Sequence, residues 1–273
     1  MSELLFNELP RPTFRWLRVN HTPASLWGEA EEAKGVIVKG NDAIIATLPI
    51  GTALVNENYK GANSEALCQL IDTAEAYRIE VPAQAKEVIG IRIDGSARIA
   101  SRFQFIIGEG ADVEVQFYLD GESKEATNIQ YLNEYVVNAD AKVVVKKVNL
   151  LGSTLQHIEH RYTKLEERAD VEFINVEVGG KENFLHYEHD LQGEACKIVH
   201  DIAYLGNKDQ KFDISMVMTH RGKKSFSDIH TLGALSDRAK KSFRGTLDFL
   251  RGATASEGAE EDTCLLLDPT VKS

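Results

Sequence analysis

Three cysteines and eight histidines are the residues of this 273-residue chain best suited to hold a metal or a cluster. An iron–sulfur cluster takes four cysteine thiolates, often closely spaced. Cys68, Cys196 and Cys264 lie 128 (196−68) and 68 (264−196) residues apart, so they cannot complete such a set alone. Cys196 falls at an inward position of an alternating strand, where a free cysteine packs as a small hydrophobe. Cys68 falls beside the apolar face of a helix. Cys264, between GAEEDT and three leucines, is expected to pack at an edge. The segment HIEH sets His157 and His160 three apart, as HYEH does His186 and His189. On a helix that spacing would bring each pair together; on a strand it sends the two to opposite faces, so neither pair chelates by itself. Neither pair has the His-Glu-x-x-His form of a zinc hydrolase. Stacked coils could gather His200, His220 and His230, with structural or surface roles the expectation for each.

HRGKKSF at 220–226 fails as a phosphate loop. Its Gly222-Lys223 is followed by Lys224 instead of Ser or Thr, and Val217 stands where the first glycine belongs. Lys223, Lys224, Lys240, Lys241 and Arg244 read as a local basic cluster in an acidic chain, a solvated face or a contact for an acidic partner. There is no nucleophile elbow and no dinucleotide fingerprint. Nothing selects an acid–base pair among the scattered carboxylates. The chain is not expected to be an enzyme.

The elements that would position these residues repeat. GADVEVQFY from Gly110 returns as ADAKVVVKKV, ADVEFINVEV and, loosely, EACKIVHDIAYL. Aligning Glu114, Lys142, Glu172 and Lys197 gives spacings of 28 (142−114), 30 (172−142) and 25 (197−172). The flanking pairs Val113/Val115, Ala141/Val143, Val171/Phe173 and Cys196/Ile198 then share one face. In three copies the apolar parity flips, as from Val145 to Val148 and Leu150, which predicts a bulge or corner. A second strand-like run, such as IQYLNEYVV at 129–137, sits between copies. Two strands per 25–30 residues predict a flattened β-solenoid, with an antiparallel sandwich as the alternative. Only Asp94-Gly95 and Asp120-Gly121 offer the hairpin turns a sandwich needs.

Residues 1–35 read as a docking N-terminal arm, in which Pro10, Pro12 and Pro23 oppose regular ladders and Phe14, Trp16 and Trp27 supply anchors. Residues 36–80 form a strand–helix cap. It opens with a strand–turn–strand over 35–54, and a helix over 64–75 carries Ala66, Leu67, Leu70, Ile71 and Ala74 on one face, capped by Ser64 or Asn63. Residues 81–273 form the core.

The composition is that of a globular protein, with 43% hydrophobic and 27% charged residues. A net charge of −11 argues against a nucleic-acid partner. No run of eighteen apolar residues exists to span a membrane, and MSELLFNELPRPTFRW is no signal peptide. Three scattered cysteines fit a reducing compartment, so a cytoplasmic location is expected.

Three stretches carry a resemblance to the SufB/SufD family of iron–sulfur cluster assembly proteins. NELPRPTFRWLRVN resembles the opening of short SufD-like members. AYRIEVP, IGIRIDG and FQFIIGEGADVEV are similar to the family's entry into its β-helix. VMTHRGKKSFSDIHTLGALSDRAKKSFRGTLDFLRGA resembles the family's most recognisable segment, with His220, Ser225, Ser227, Phe243, Arg244 and Gly245 at its motif positions. The resemblance implies a mainly β protein, a right-handed parallel β-helix, acting as a scaffold that pairs with a SufB/SufD-like paralogue and a SufC-like ATPase. The family continues past LLLD into a His-Gly-Ala segment and a helical region; on that comparison the core is expected to be truncated after Ser273. SEGAEEDTCLLLD also lacks the family's glutamine-rich form. Any cluster is therefore expected only in a complex, with no cofactor in this chain alone. Two other readings stay open: a β-helix enzyme acting on carbohydrate, which would need two placed carboxylates, and a structural module that forms a homodimer through an exposed final coil near Leu265–Leu267.

Overall fold

Every coil of the protein turns one corner in the same way, and that corner is the repeat seen in the sequence. In the computed structural model, which describes residues 4–11, 19–27, 35–55, 59 and 65–273, Gln84, Gly110, Asp140, Arg168, Ala195, Lys224 and Ala255 all have φ between 54° and 64°. A left-handed residue costs roughly 1–2 kcal/mol unless it is glycine, so the corner needs compensation at each turn. Part of it comes from a backbone ladder. The corner N–H of Gly110 donates to Ala139 O, that of Asp140 to Glu167 O and that of Arg168 to Glu194 O, each at 2.9 Å. The next residue is small and turned inward: Ala111, Ala141, Ala169, Cys196 and Ser225 are all buried. A small polar turn before an alternating strand is thus the signature of one corner stacked coil upon coil.

The strands form two eight-stranded sheets. The first holds β3 (Val36–Lys39), β6 (Lys86–Asp94), β8 (Asp112–Asp120), β10 (Lys142–Asn149), β12 (Asp170–Glu177), β14 (Lys197–Gly206), β16 (Phe226–Leu235) and β18 (Glu257–Leu266). The second holds β4 (Ile45–Leu48), β5 (Ala76–Val81), β7 (Ile99–Ile107), β9 (Thr127–Val137), β11 (Leu155–Leu165), β13 (Glu182–Leu191), β15 (Lys211–His220) and β17 (Lys240–Phe249). From β5 onward the chain alternates between the sheets, and from β7 onward each strand pairs in parallel with the one a coil earlier. This is a parallel β-solenoid. Asp94-Gly95 and Asp120-Gly121 link strands of different sheets and close no hairpin. β3 and β4 do not pair with each other; they lie antiparallel on β6 and β5, covering the first parallel edge of each sheet.

Register corrects the sequence alignment by two residues. Lys142 pairs with Asp112 and Asp170, and Lys197 with Asp170, so Glu114 and Glu172 sit two positions further along. An even offset keeps every side chain on its face, and the four flanking apolar pairs do line the core. The expected bulge does not form. β10 and β12 run unbroken; Leu150 points out at 45% exposure, while Lys147, Asn149, Asn175 and Glu177 point in and are buried. The apolar parity flips because the inward positions turn polar, not because the chain bends.

The outer faces of the sheets differ. The first sheet alternates buried and exposed residues, as expected of a sheet with one face in water. β9 and β11 of the second sheet are buried almost throughout. Two elements cover them. β1 (Leu4–Phe6) and β2 (Thr22–Ala24) form an antiparallel ribbon, whose Leu4 and Phe6 pack on Ile158 and Phe184. Phe6 stacks on Phe184 at 4.4 Å. The helix α1 (Glu65–Thr73) brings Leu67 and Leu70, with Ala74 just beyond it, against Leu132 and Tyr162. Pro23, expected to oppose strand structure, sits in β2, whose only strand partner among the described residues is β1, and an edge strand tolerates the missing donor. Phe14, Trp16, Pro12, the capping residues Asn63 and Ser64, and the side chains of Ala66 and Cys68 lie outside the described residues.

Candidate functional site

Between the sheets, the middle coils carry charge where a solenoid would be expected to carry only aliphatic residues. Lys147 from β10 and Glu177 from β12 meet Glu159 and Arg161 from β11, all four with fully buried side chains. Lys147 Nζ contacts both carboxylates and donates to Tyr187 Oη at 3.0 Å. Arg161 Nη2 donates to Glu159 Oε1 at 2.6 Å. The hydroxyls of Tyr131 and Tyr187 donate to Glu159 Oε2 at 3.1 and 3.0 Å, and Asn133 Nδ2 donates to Oε1 at 3.1 Å. Two cations thus face two anions, which is the condition for burying charge without a large penalty. Burial alone would raise the Glu159 carboxyl, but Arg161 and Lys147 more than reverse this and hold it below the usual carboxylate range.

The interior histidines are neutral spacers in this network. Burial first, and then Lys147, push His157 down to about 4. Its ring lies between Tyr131 Oη at 3.0 Å and Asn149 and Asn183 at 3.0 and 3.1 Å. His189 Nε2 and His200 Nδ1 stand 3.2 Å apart, and burial followed by Arg161 holds both well below the ordinary imidazole range. A guanidinium beside that pair makes it a poor cation site. Toward β7 the charge gives way to an aromatic plug of Phe103, Phe105, Phe117, Tyr131 and Tyr135.

The last coil is different again. Glu260, Asp262 and Cys264 alternate along the inner face of β18, opposite Lys241 from β17. Lys241 Nζ contacts Asp262 and sits 5.2 Å over the Tyr204 ring and 5.3 Å over Phe243. β18 has a strand neighbour, β16, on one side only. Beside that free edge Phe249, Leu265, Leu266 and Leu267 are exposed.

The predicted basic cluster is not one surface. Lys223, Lys224 and Lys240 are exposed, and Lys224 pairs with Glu194 at 2.9 Å. Lys241 turns inward and Arg244, three residues on, turns to the opposite face. Arg244 holds the N-terminal ribbon: Nη1 donates to Asp213 Oδ1 at 2.6 Å, Nε to Val19 O at 2.5 Å and Nη2 to Thr22 Oγ1 at 2.8 Å. Asn7 Nδ2 reaches the same Asp213 at 2.5 Å. This explains the Phe-Arg-Gly motif residue by residue. Phe243 packs on the core, Arg244 clamps the ribbon, and Gly245 leaves the space where a Cβ would fall 1.7 Å from Glu260 Oε2.

His200, His220 and His230 do not come together. His200 is interior. His220 is buried against Phe249, bonded to Ser225 Oγ at 2.7 Å and Ser227 Oγ at 2.9 Å. His230 is on the outer face of the first sheet, between Asp201 at 2.8 Å and Asp228 at 3.1 Å. As the strand period required, His157 and His189 face in while His160 and His186 face out, and the outward two become neighbours across β11 and β13. Cys196 is buried as expected, its thiol pushed up to about 12 by burial. Cys264 is half-buried against the core. Among the described residues no three His, Cys, Asp or Glu side chains already stand as a metal-ligand group. The residues that sequence reasoning missed are Lys147, Glu159, Arg161 and Glu177, and the misread parity flip was the signal for Lys147 and Glu177.

The architecture defines the class: a parallel β-solenoid with a charged interior, a last coil whose strands β17 and β18 each end their sheet, and a clamped N-terminal ribbon. The family model for "SUF system FeS cluster assembly, SufBD core domain" matches residues 91–273, two-thirds of the chain and most of the stacked coils. The chain belongs to the SufB/SufD family, and its business is iron–sulfur cluster assembly in the SUF system. No curated protein matches it.

Proposed function

We propose that this chain is a non-catalytic scaffold subunit, SufD-like in its role, that binds a SufB-like solenoid and a SufC-like ATPase in the cytoplasm. The observation that carries the reading is the SufBD core-domain match across the coils that end in the open edge of β18. An unpaired parallel edge flanked by exposed Phe249, Leu265 and Leu266 favours sheet addition by another strand-bearing subunit. Two copies of this chain associate through the same edge when no paralogue is present. A cluster is cargo here, held between subunits. The described residues offer it one half-buried cysteine, Cys264, whereas Cys196 is buried, which pushes its thiol up to about 12.

Co-expression tests this. The tagged chain is expected to retain a SufB-like protein and a SufC-like ATPase through size exclusion, and iron with acid-labile sulfide is expected in the anaerobic complex and not in the isolated chain. L265D/L266D is expected to abolish both hetero- and homo-association. Failure to retain either partner, with the chain folded, refutes the assignment.

A further inference from the structure

The outer face of the second sheet buries a set of donors that the assembly reading does not use. His160, His186 and Ser215 are register partners on β11, β13 and β15, so their side chains form one column on one face. All three are at most 2% exposed. On one side of the column Ile158 and Phe184 meet Leu4 and Phe6 of the ribbon; on the other Tyr162 meets Tyr59 and α1. Among the described residues, both ring nitrogens of His160, Nδ1 of His186 and Oγ of Ser215 have no hydrogen-bond partner. Orphaned buried polar atoms are rare, and each costs of order 1–3 kcal/mol. Four in one column require an explanation.

Chemistry narrows the ligand to a cation. His186 Nε2 is 2.9 Å from Glu188 Oε1, the carboxylate–imidazole pairing that fixes a ring's tautomer and leaves its other nitrogen's lone pair free. That other nitrogen is the orphan Nδ1. His160 makes no hydrogen bond through either ring nitrogen in this buried column, so a nitrogen of its neutral ring is free to ligate. Two carboxylates stand near this face, Glu188 on His186 and Glu134, the latter paired with Arg102 at 3.7 Å. The cations at the two ends of the column are both paired: Arg244, one strand beyond Ser215, with Asp213, and Arg102, two strands from His160, with Glu134. The interior pair His189–His200 has Arg161 beside it instead, which makes it the natural control. The His160 and His186 ring centroids are 6.4 Å apart. Two imidazoles on one tetrahedral ion would stand about 5 Å apart, given metal–nitrogen bonds of about 2 Å, so the two rings must close by roughly 1 Å, through χ1 and not by a turn about Cβ–Cγ.

We propose that His160, Nδ1 of His186 and the Ser215 hydroxyl form a site for a divalent transition metal of the zinc class beneath the N-terminal ribbon, with Glu188 as the positioning residue. Neutral imidazoles suit zinc, copper and nickel better than calcium or magnesium. The ion would tie β11, β13 and β15 together behind the ribbon, a structural role separate from any cluster carried between subunits. The proposal does not depend on the assembly reading, since the isolated chain should bind without any partner.

The test uses the whole chain, stripped with chelator and titrated with Co2+ alone and then with Zn2+. One equivalent of Co2+ is expected, seen by its visible d–d bands and displaced by Zn2+. H160Q and H186Q are each expected to weaken binding at least tenfold and E188Q by about tenfold, while H189Q, at the interior pair, leaves it unchanged. X-ray absorption of the zinc-loaded native chain is expected to show two imidazoles and no sulfur, and this decides the matter even where a variant fails to fold. No uptake, uptake unchanged in both H160Q and H186Q, or a sulfur-ligated ion overturns the proposal.

Discussion

Replacing Lys147 with methionine tests whether the buried charges are a balanced set or a loose collection. The two side chains are similar in length, so the change removes a cation with little loss of packing. Lys147 contacts both Glu159 and Glu177, and Arg161 remains to hold Glu159 at 2.6 Å. Glu177 is then left buried with no cation in reach, and breaking a buried pair in this way costs about 3–5 kcal/mol. An independent bound agrees. The stranded carboxylate can take up a proton, which at pH 7 costs about 1.36 kcal/mol for each unit above the ordinary glutamate value of about 4.3, or about 4 kcal/mol. For a chain of this size that lowers Tm by roughly 10 °C. Urea unfolding of K147M, E177Q and K147M/E177Q at pH 7 measures it. The double variant, with Arg161 facing Glu159 alone, is expected to recover more than half of the loss, and the deficit of K147M is expected to shrink to about 1 kcal/mol at pH 5, where protonation is cheap. A K147M deficit below about 1 kcal/mol at pH 7, or no rescue by E177Q, would show that the network is not charge-coupled.

Three further outcomes follow from the geometry. His157 has a folded value depressed to about 4 from an ordinary value of 6.5; its contribution to stability is therefore full above pH 6.5 and falls by about 3 kcal/mol as pH drops to 4, and H157N is expected to remove that share of the acid loss in chemical denaturation while the share of the other buried histidines remains. R244M leaves Asp213 buried without its cation and removes three bonds to the ribbon and its anchor; hydrogen exchange at residues 4–7 and 22–24 is expected to accelerate at least tenfold while the coil strands stay protected. Ala195→Gly places glycine at a corner with φ 56°, and is expected to stabilise by about 0.5–1 kcal/mol in the same urea assay; a destabilising result would count against the left-handed corner as the repeating unit.

The repeat was legible because the corner constrains residue type. A left-handed turn followed by a buried small residue leaves a trace in GAD, ADA, ADV and EAC, and alternation reports the face of every strand independently of register. That is why a two-residue misalignment of Glu114 and Glu172 did no damage: parity survives any even shift. The ribbon was less legible. Arg244 reads as one more basic residue in SFRGTL, since the feature that makes it a clamp is Asp213, thirty-one residues earlier (244−213) and one coil away. Contacts between coils carry no local pattern, and each partner taken alone has the composition of a surface.

The interior charges were misread for a reason that reaches beyond register. Hydrophobic alternation equates inward with apolar, so Lys147, Asn149, Asn175 and Glu177 made β10 and β12 look as if they changed face. A solenoid relaxes that equation because each coil lays its residues directly on those of the next. Lys147 and Asn175 are register partners, as are Asn149 and Glu177. A polar residue in one coil therefore meets polar partners as soon as its neighbours are polar too, and the penalty for burying it falls to what the stacked column fails to satisfy. The cost of one lumen charge is thus set by adjacent coils and not by its own strand. Substitutions in the lumen should accordingly be tolerated in coil-spanning pairs and not singly, the pattern that K147M and its E177Q rescue are built to reveal.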